Sequence, residues 1–206
     1  RATGKMSMVI AQNGPGITGL VTPIKTAYWN HTPLLLVTPQ AANKTMGQGG
    51  FQEVEQMNLF KDMVCYQEEV RDPSRVAEVL NRVISKAIKG SAPAQLNIPR
   101  DFWTQVVDVE LPPIIKFERP SGGSEAIKKA ADLLSNAKFP VILSGAGVIL
   151  ADAIDDCKNL AEKLSAPVAC GYQHNASFPG KHPLAVGPLG YNGSKAAMEI
   201  ISKADV

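Results

Sequence analysis

The sequence predicts an α/β protein made of two parallel-sheet units. Three observations predict it. Short apolar runs alternate with helix-compatible segments from one end of the chain to the other. Several of these runs, such as Leu34-Leu35-Leu36-Val37, are continuously apolar, as strands buried on both faces of a parallel sheet are. Between residues 101 and 123 the alternation stops, and Pro112-Pro113, Pro120 and Gly122-Gly123 interrupt any helical period. The 206 residues are enough for two such units with cores of their own. Residues 1–105 form the first unit, 106–123 a linker that is extended where proline dominates, and 124–206 the second.

In the first unit, Met8–Gln12 reads as a strand. Asn13-Gly14-Pro15-Gly16 is a tight turn, and Ile17–Tyr28 a helix in which Pro23 introduces a bend. Leu34–Val37 is the second strand. Residues 39–50 form a long polar, glycine-rich loop, and loops of that length in compact domains are often functional. Val54–Phe60 is a short helix and Met63–Tyr66 a strand. The next helix is the clearest in the chain. Asp72 caps it with Pro73 at its first position, and Val76, Val79, Leu80, Val83, Ile84, Ala87 and Ile88 form one apolar stripe. Gly90 ends it, and Ala94–Ile98 is the closing strand.

In the second unit, Ser124 caps a helix that runs to Asn136, and Val141–Ser144 is a strand leading into a Gly145-Ala146-Gly147 turn. Ile154, Cys157, Leu160, Ala161 and Leu164 mark a helix, and Pro167–Gly171 a strand. Residues 172–193 form a loop rich in glycine, proline and histidine. Ser194–Lys203 is helical, and Asp205-Val206 opens another strand.

Composition narrows the function. The chain is 45% apolar and 19% charged, with a formal charge of +2, so it is globular. No basic patch with interleaved aromatics is present, which argues against nucleic acid as a partner. No apolar run is long enough to span a bilayer, and no signal peptide is visible. Cys65, Cys157 and Cys170 are scattered, without metal-ligand spacing, and read as small core residues in a reducing, cytoplasmic compartment. His31 and His182 lie in turns near prolines and read as structural. Neither end resembles a natural terminus, so the chain reads as a fragment.

One feature points to a ligand. The Gly14-Pro15-Gly16 turn follows a strand and opens a helix, and ligands of α/β sheets bind beyond the carboxyl ends of strands. Its glycines let backbone approach a ligand closely, and its proline stiffens the approach.

These residues, in order, resemble a known family. Arg1-Ala2-Thr3-Gly4-Lys5, Asn13-Gly14-Pro15-Gly16-Ile17-Thr18, Pro33–Thr38, Phe51-Gln52-Glu53 and Asn97–Asp101 are similar to the pyrimidine-binding domain of thiamine diphosphate enzymes of the acetolactate synthase type. Lys138–Leu143 with Gly145-Ala146-Gly147, then Ala166–Ala169, resemble that family's Rossmann-like central domain. Both domains are then partial. Gly47–Glu53, Tyr172–Asn175 and Gly187–Lys195 most resemble a branch of the family that acts on sulfoacetaldehyde, releasing sulfite and passing the acetyl group to phosphate.

The resemblance implies thiamine diphosphate and Mg2+ as cofactors, with diphosphate and metal held by a C-terminal domain outside this chain and no metal ligands within it. It implies a homodimer or homotetramer with active sites between subunits, and a role in taurine-type sulfonate breakdown. The catalytic glutamate lies upstream of Arg1, and neither Glu53 nor Glu55 replaces it, so the chain alone is expected to be inactive. Gly14, Pro15 and Gly16 lie against the cofactor's aminopyrimidine. Phe51 and Gln52 line the substrate side. His174 and Asn175 are placed to meet an anionic group or shuttle a proton, and Lys195 to meet an anion at a helix N-terminus. Relatives often carry Asn at the Gly19 position, so contacts there differ. Acyl transfer needs no external oxidant, so FAD is not expected at the Gly145–Gly147 turn. Two alternatives remain: a carboligase or decarboxylase like acetolactate synthase, and a non-catalytic nucleotide-binding module, which the lack of a full GxGxxG fingerprint argues against.

Overall fold

The computed structural model describes residues 5–113, 117 and 121–206. Linker positions 114–116 and 118–120, and the opening Arg1–Gly4 of the resemblance, lie outside the described residues. The chain divides into two compact units, Arg1–Glu118 and Arg119–Val206.

The first unit runs β1 (Ser7–Ile10), α1 (Pro15–Thr18), α2 (Val21–Trp29), β2 (Leu34–Gln40), α3 (Gln56–Phe60), β3 (Tyr66–Glu69), α4 (Val76–Gly90) and β4 (Pro93–Pro99). All its strands are parallel, in the order β1-β2-β4-β3. Alternation along β2 and β4 supplies both faces of the sheet. Leu35, Val37, Ala94 and Leu96 pack under the α4 stripe of Val79, Val83 and Ala87. On the other face, Leu36 packs with Ile17, Ile24 and Phe60. Gln95 and Asn97 share that second face with Thr38, and all three are fully buried.

The expected helix over Ile17–Tyr28 is two helices. The break falls at Gly19-Leu20, and Pro23 sits in the first turn of α2, where its missing N–H costs no hydrogen bond. The strand expected at Met63–Tyr66 lies further on, at Tyr66–Glu69. Cys65 is consequently exposed rather than in the core, whereas Cys157 and Cys170 are buried. Asp72 accepts from the Ser74 N–H as expected, but a 3-10 turn at Pro73–Arg75 precedes α4. The left-handed residue closing α4 is Ser91, with φ 46°, not Gly90.

Arg82 fastens α4 to the edge strand β3. Its guanidinium donates twice to Glu68 at 2.8 Å and once to Glu78 at 2.9 Å, while Arg75 makes a second fork to Glu78. The hydrogen bonds from Arg75 and then Arg82 hold the Glu78 carboxyl down to about 2, and those from Arg82 chiefly lower Glu68. A carboxyl depressed in the folded state stabilises above its ordinary value and loses that contribution as pH falls through the folded one. The stabilisation from this cluster is therefore expected to disappear between about pH 4.5 and pH 2. A carbon-detected NMR titration should place the Glu78 midpoint near the lower end, moving up in Arg82→Ala.

The second unit comprises α5 (Ser124–Asn136), β5 (Ile142–Ser144), α6 (Ala146–Leu150), α7 (Ile154–Leu164), β6 (Val168–Gly171), β7 (Ala185–Leu189) and α8 (Lys195–Ile201). Its sheet is parallel, ordered β5-β6-β7. Cys157, Ala161, Val168, Cys170 and Phe178 form the core. The cap of α5 is Gly123, and Ser124 is its first residue without a capping bond. The Gly145–Gly147 stretch is the junction of β5 with α6. The loop expected over 172–193 contains a 3-10 turn at Asn175–Ser177 and the whole of β7. Asp205-Val206 is not a strand, but Val206 O accepts from Val141 N at 2.9 Å and the Asp205 carboxylate accepts from Lys138 N and Phe139 N. His182 is structural: its Nε2 meets Glu162 at 3.0 Å, its Nδ1 accepts from Leu184 N, and its ring stands edge-on to Phe178.

Candidate functional site

In the first unit the turn after β1 and the loop after β2 meet. Gly14 is the cap of α1 and adopts φ 71°, ψ −117°, a conformation that glycine reaches without strain. Pro15 is the first residue of α1, and Thr18 N donates to Gly14 O at 2.9 Å. A side-chain carbon on Gly14 would lie 2.8 Å from Gln52 Cβ and 2.9 Å from Gln52 O. The bare α-carbon is thus what lets the two loops touch.

Polar bonds then tie them. Asn13 Nδ2 donates to Gln52 O at 3.2 Å, and Gln12 Nε2 donates to Gln52 Oε1 at 2.7 Å. Gln52 itself has φ 58°, left-handed and unusual for a residue with a side chain. Held there, it presents its amide beside the turn, while the Phe51 ring is 77% exposed. Gly14, buried beneath Gln52, thus seats Phe51 and Gln52, almost forty residues on, beside Pro15 and Gly16.

The loop at 41–55 is fastened at three levels. Inside it, the Glu53 carboxylate accepts from Gly47 N at 2.7 Å and Gly50 N at 3.1 Å. At its base, Gln40 Oε1 accepts from Ala41 N while Gln40 Nε2 donates to Val54 O. Beneath it lies a buried polar layer. Gln56 Nε2 donates to Pro39 O, and Gln95 Nε2 donates to Thr38 Oγ1 and Gln56 O. Gln67 Nε2 donates to Gln95 Oε1, Thr38 Oγ1 to Asn97 Oδ1, and Asn97 Nδ2 to Glu69. Gln56 Oε1 is buried and has no partner among the described residues. Glu53 is thus a loop organiser.

His174, Asn175 and Lys195 lie in the second unit. His174 is half-buried just beyond β6, its N–H donating to Gly171 O at 2.8 Å, and its ring edge would meet a side chain on Gly171 at 3.4 Å. Asn175 is exposed and begins the 3-10 turn. Lys195 is exposed at the start of α8, whose cap Ser194 accepts from Ala197 N. The loops that carry them approach each other where Tyr172 faces Gly190. The sequence reading left Gln12, Asn13 and the Gln95 layer out of the site. The only local trace of that layer is two polar residues, at 95 and 97, inside an apolar strand.

Three kinds of match bear on this geometry. Residues 1–59 match the "Thiamine pyrophosphate enzyme, N-terminal TPP binding domain", and residues 127–206 match the "Thiamine pyrophosphate enzyme, central domain". The whole chain aligns at 78% identity with 34% of a sulfoacetaldehyde acetyltransferase of Roseovarius nubinhibens. It aligns at 75% with 35% of a probable enzyme of the same name from Rhizobium meliloti. A probable acetolactate synthase large subunit of Methanocaldococcus jannaschii is 34% identical over 214 residues, with all of this chain and 36% of that protein covered. Among solved structures, a thiamine diphosphate-dependent 4-hydroxybenzoylformate decarboxylase of Rhodococcus jostii RHA1 superposes with TM-score 0.79 at 25% identity. That match covers 89% of this chain and 36% of the other. The chain therefore spans about a third of the length of the curated relatives it matches.

Proposed function

The chain belongs to the thiamine pyrophosphate enzymes, and from that premise we propose that the complete protein is a thiamine diphosphate-dependent acetyltransferase acting on sulfoacetaldehyde. The single observation that carries the choice of substrate is the 78% identity, across every residue of this chain, with a relative bearing that name. The surface at Pro15, Gly16 and Gln52 is what makes the reading physical.

That surface fits a flat heteroaromatic ring. Gly16 leaves backbone partly uncovered, exposed Pro15 stiffens it, and Gly14 lies buried behind them with Gln52 filling the space over it. Gly14, Pro15 and Gly16 would hold the aminopyrimidine. When bound, the cofactor supplies a nucleophilic carbon and an electron sink. The chain's own part is orientation. Phe51 gives the substrate side an apolar wall and Gln52 offers neutral hydrogen bonds beside it. His174, Asn175 and Lys195 are assigned to the recognition of sulfonate or phosphate.

The overall reaction balances without an external oxidant. The carbon–sulfur bond breaks and sulfite leaves with the electron pair. The aldehyde carbon gives up its hydrogen as a proton and reaches the acyl level, the former CH2 carbon takes up a proton to become methyl, and a phosphate oxygen bonds to the acyl carbon as the phosphate proton is released. FAD has no task in this sequence. Mg2+, a homo-oligomeric active site and taurine-type sulfonate breakdown belong to the same proposal.

Incubating the complete protein with thiamine diphosphate, Mg2+, sulfoacetaldehyde and phosphate should yield acetyl phosphate and sulfite in equal amounts. Acetolactate from pyruvate, with no sulfite from sulfoacetaldehyde, would move the assignment to the carboligase branch.

A further inference from the structure

We infer that Asn13 is a positioning residue: its side-chain amide grips the Phe51–Gln52 carbonyls and so holds the Phe51 ring on the substrate side, without itself touching substrate. The inference rests on the assignment of Phe51 to that side and goes beyond it. Asn13 Nδ2 donates to Gln52 O at 3.2 Å and lies 3.5 Å from Phe51 O. A carbonyl oxygen only accepts, so the NH2 end of Asn13 is the end that faces the loop. The grip therefore holds whichever way the side-chain amides of Gln12 and Gln52 are turned.

The loop gives this grip its effect. It reaches Phe51 already folded, because the Glu53 carboxylate takes Gly47 N and Gly50 N, and Glu53 N donates to Gly50 O at 3.1 Å. None of those bonds reaches the turn after β1. Gln52 sits at φ 58°, where a residue with a side chain stays only if its surroundings hold it. Its carbonyl lies over Gly14, where a side-chain carbon would come within 2.9 Å of it, and no backbone N–H among the described residues donates to it. Once that carbonyl is released, φ of Gln52 can relax, and the rotation swings the Phe51 peptide away from the turn. The Phe51 ring is 77% exposed and belongs to neither core cluster of this unit, so packing there does not fix it. The turn keeps its own bonds, Ile17 N to Gln12 O and Thr18 N to Gly14 O, so the coenzyme side is expected to survive the loss of Asn13.

The test uses the complete, coenzyme-loaded protein. Asn13→Ala removes the donor, and Asn13→Asp keeps the shape but sets an acceptor against the two carbonyls. Phe51→Ala and the double variant Asn13→Ala/Phe51→Ala complete the cycle. The quantities read are KM and kcat for sulfoacetaldehyde, the Kd of the coenzyme, and the fluorine NMR line of a single para-fluorophenylalanine placed at position 51. Asn13→Ala should raise KM roughly two- to tenfold, the worth of one neutral hydrogen bond, with kcat and coenzyme Kd little changed. Asn13→Asp should raise KM at least as much, and the fluorine line should shift or broaden in both. Phe51→Ala should raise KM further, and the double variant should be no worse than Phe51→Ala, because Asn13 acts through Phe51. A native KM or an unmoved fluorine line in either Asn13 variant overturns the inference while Phe51→Ala still reports on the substrate side. Effects that multiply in the double variant overturn it, because Asn13 then acts on its own. Coenzyme affinity that falls as far as KM rises also overturns it, because Asn13 then serves the turn rather than the loop. If Phe51→Ala leaves KM native, the placement of Phe51 is wrong and the inference falls with it.

Discussion

Gly14→Ala is expected to cost the complete protein about 2–4 kcal/mol of stability, the combined scale of a strained left-handed residue and an overpacked contact, and to weaken coenzyme binding at least roughly tenfold. Two independent penalties coincide at this residue. Its φ of 71° with ψ −117° excludes side chains, and the new methyl carbon would sit 2.8 Å from Gln52 Cβ and 2.9 Å from Gln52 O. The second contact is with backbone, so a rotamer change cannot relieve it. The loops must separate, and separation breaks the Asn13 and Gln12 bonds to Gln52. Gly16→Ala is the internal control. That residue is helical, its added carbon would meet Ala11 Cβ at 3.3 Å and Gln12 Cβ at 3.4 Å, and a few tenths of an ångström relieve the contact. Calorimetric midpoints and coenzyme titration of both variants check this. Native coenzyme affinity in Gly14→Ala would show that the turn does not face the ring.

Much of this architecture was legible in the sequence, because buried parallel strands and one-sided helices write themselves as apolar runs and stripes. The α4 stripe is the plainest case. Strand β3 was misplaced because it is an edge strand whose residues, Tyr66-Gln67-Glu68-Glu69, are mostly polar, so the apolar run just before it drew the assignment. Strand β7 was missed because Gly187 and Pro188 interrupt it and look like a loop. Gly187 has φ 93°, and a side chain there would meet Ser194 Cβ at 3.0 Å, so the irregularity is a close approach to the cap of α8. The Gly14–Gly16 turn was visible as a turn, and its partners Phe51 and Gln52 came from resemblance. What joins them did not appear. A hydrogen bond between Gln12 and Gln52 spans forty positions and leaves no local pattern, and both residues look like ordinary surface polar groups.

The buried polar layer beneath the loop raises the second prediction. Gln95→Leu should destabilise the first unit by about 2–4 kcal/mol, the cost of leaving one or two buried polar groups unpaired, although leucine is close in volume and more apolar. Gln95 is fully buried. It accepts from Gln67 at 2.6 Å and donates to Thr38 at 3.0 Å and to the Gln56 carbonyl at 3.3 Å. Leucine removes all three bonds: Gln67 keeps Met57 O and Thr38 keeps Asn97 Oδ1, but Thr38 Oγ1 and the Gln56 carbonyl lose their buried donor, in a site where Gln56 Oε1 has no partner among the described residues. A layer of this kind is stabilising when nearly complete and costly when broken. The effect should also reach the candidate site. Gln95 holds the first residue of α3, and Gln56 holds Pro39, so the two ends of the loop bearing Phe51 and Gln52 rest on this layer. Hydrogen exchange in Gln95→Leu should therefore rise across residues 41–55 before it rises in α4, which packs on the opposite face of the sheet. Gln48→Leu, on the same loop but exposed and with its side-chain amide donating to Lys44 O, should leave both stability and exchange near native. If Gln95→Leu kept native loop protection, the layer would be a feature of the core alone, and the geometry of Gln52 would have to come from its tethers to Gln12 and Asn13.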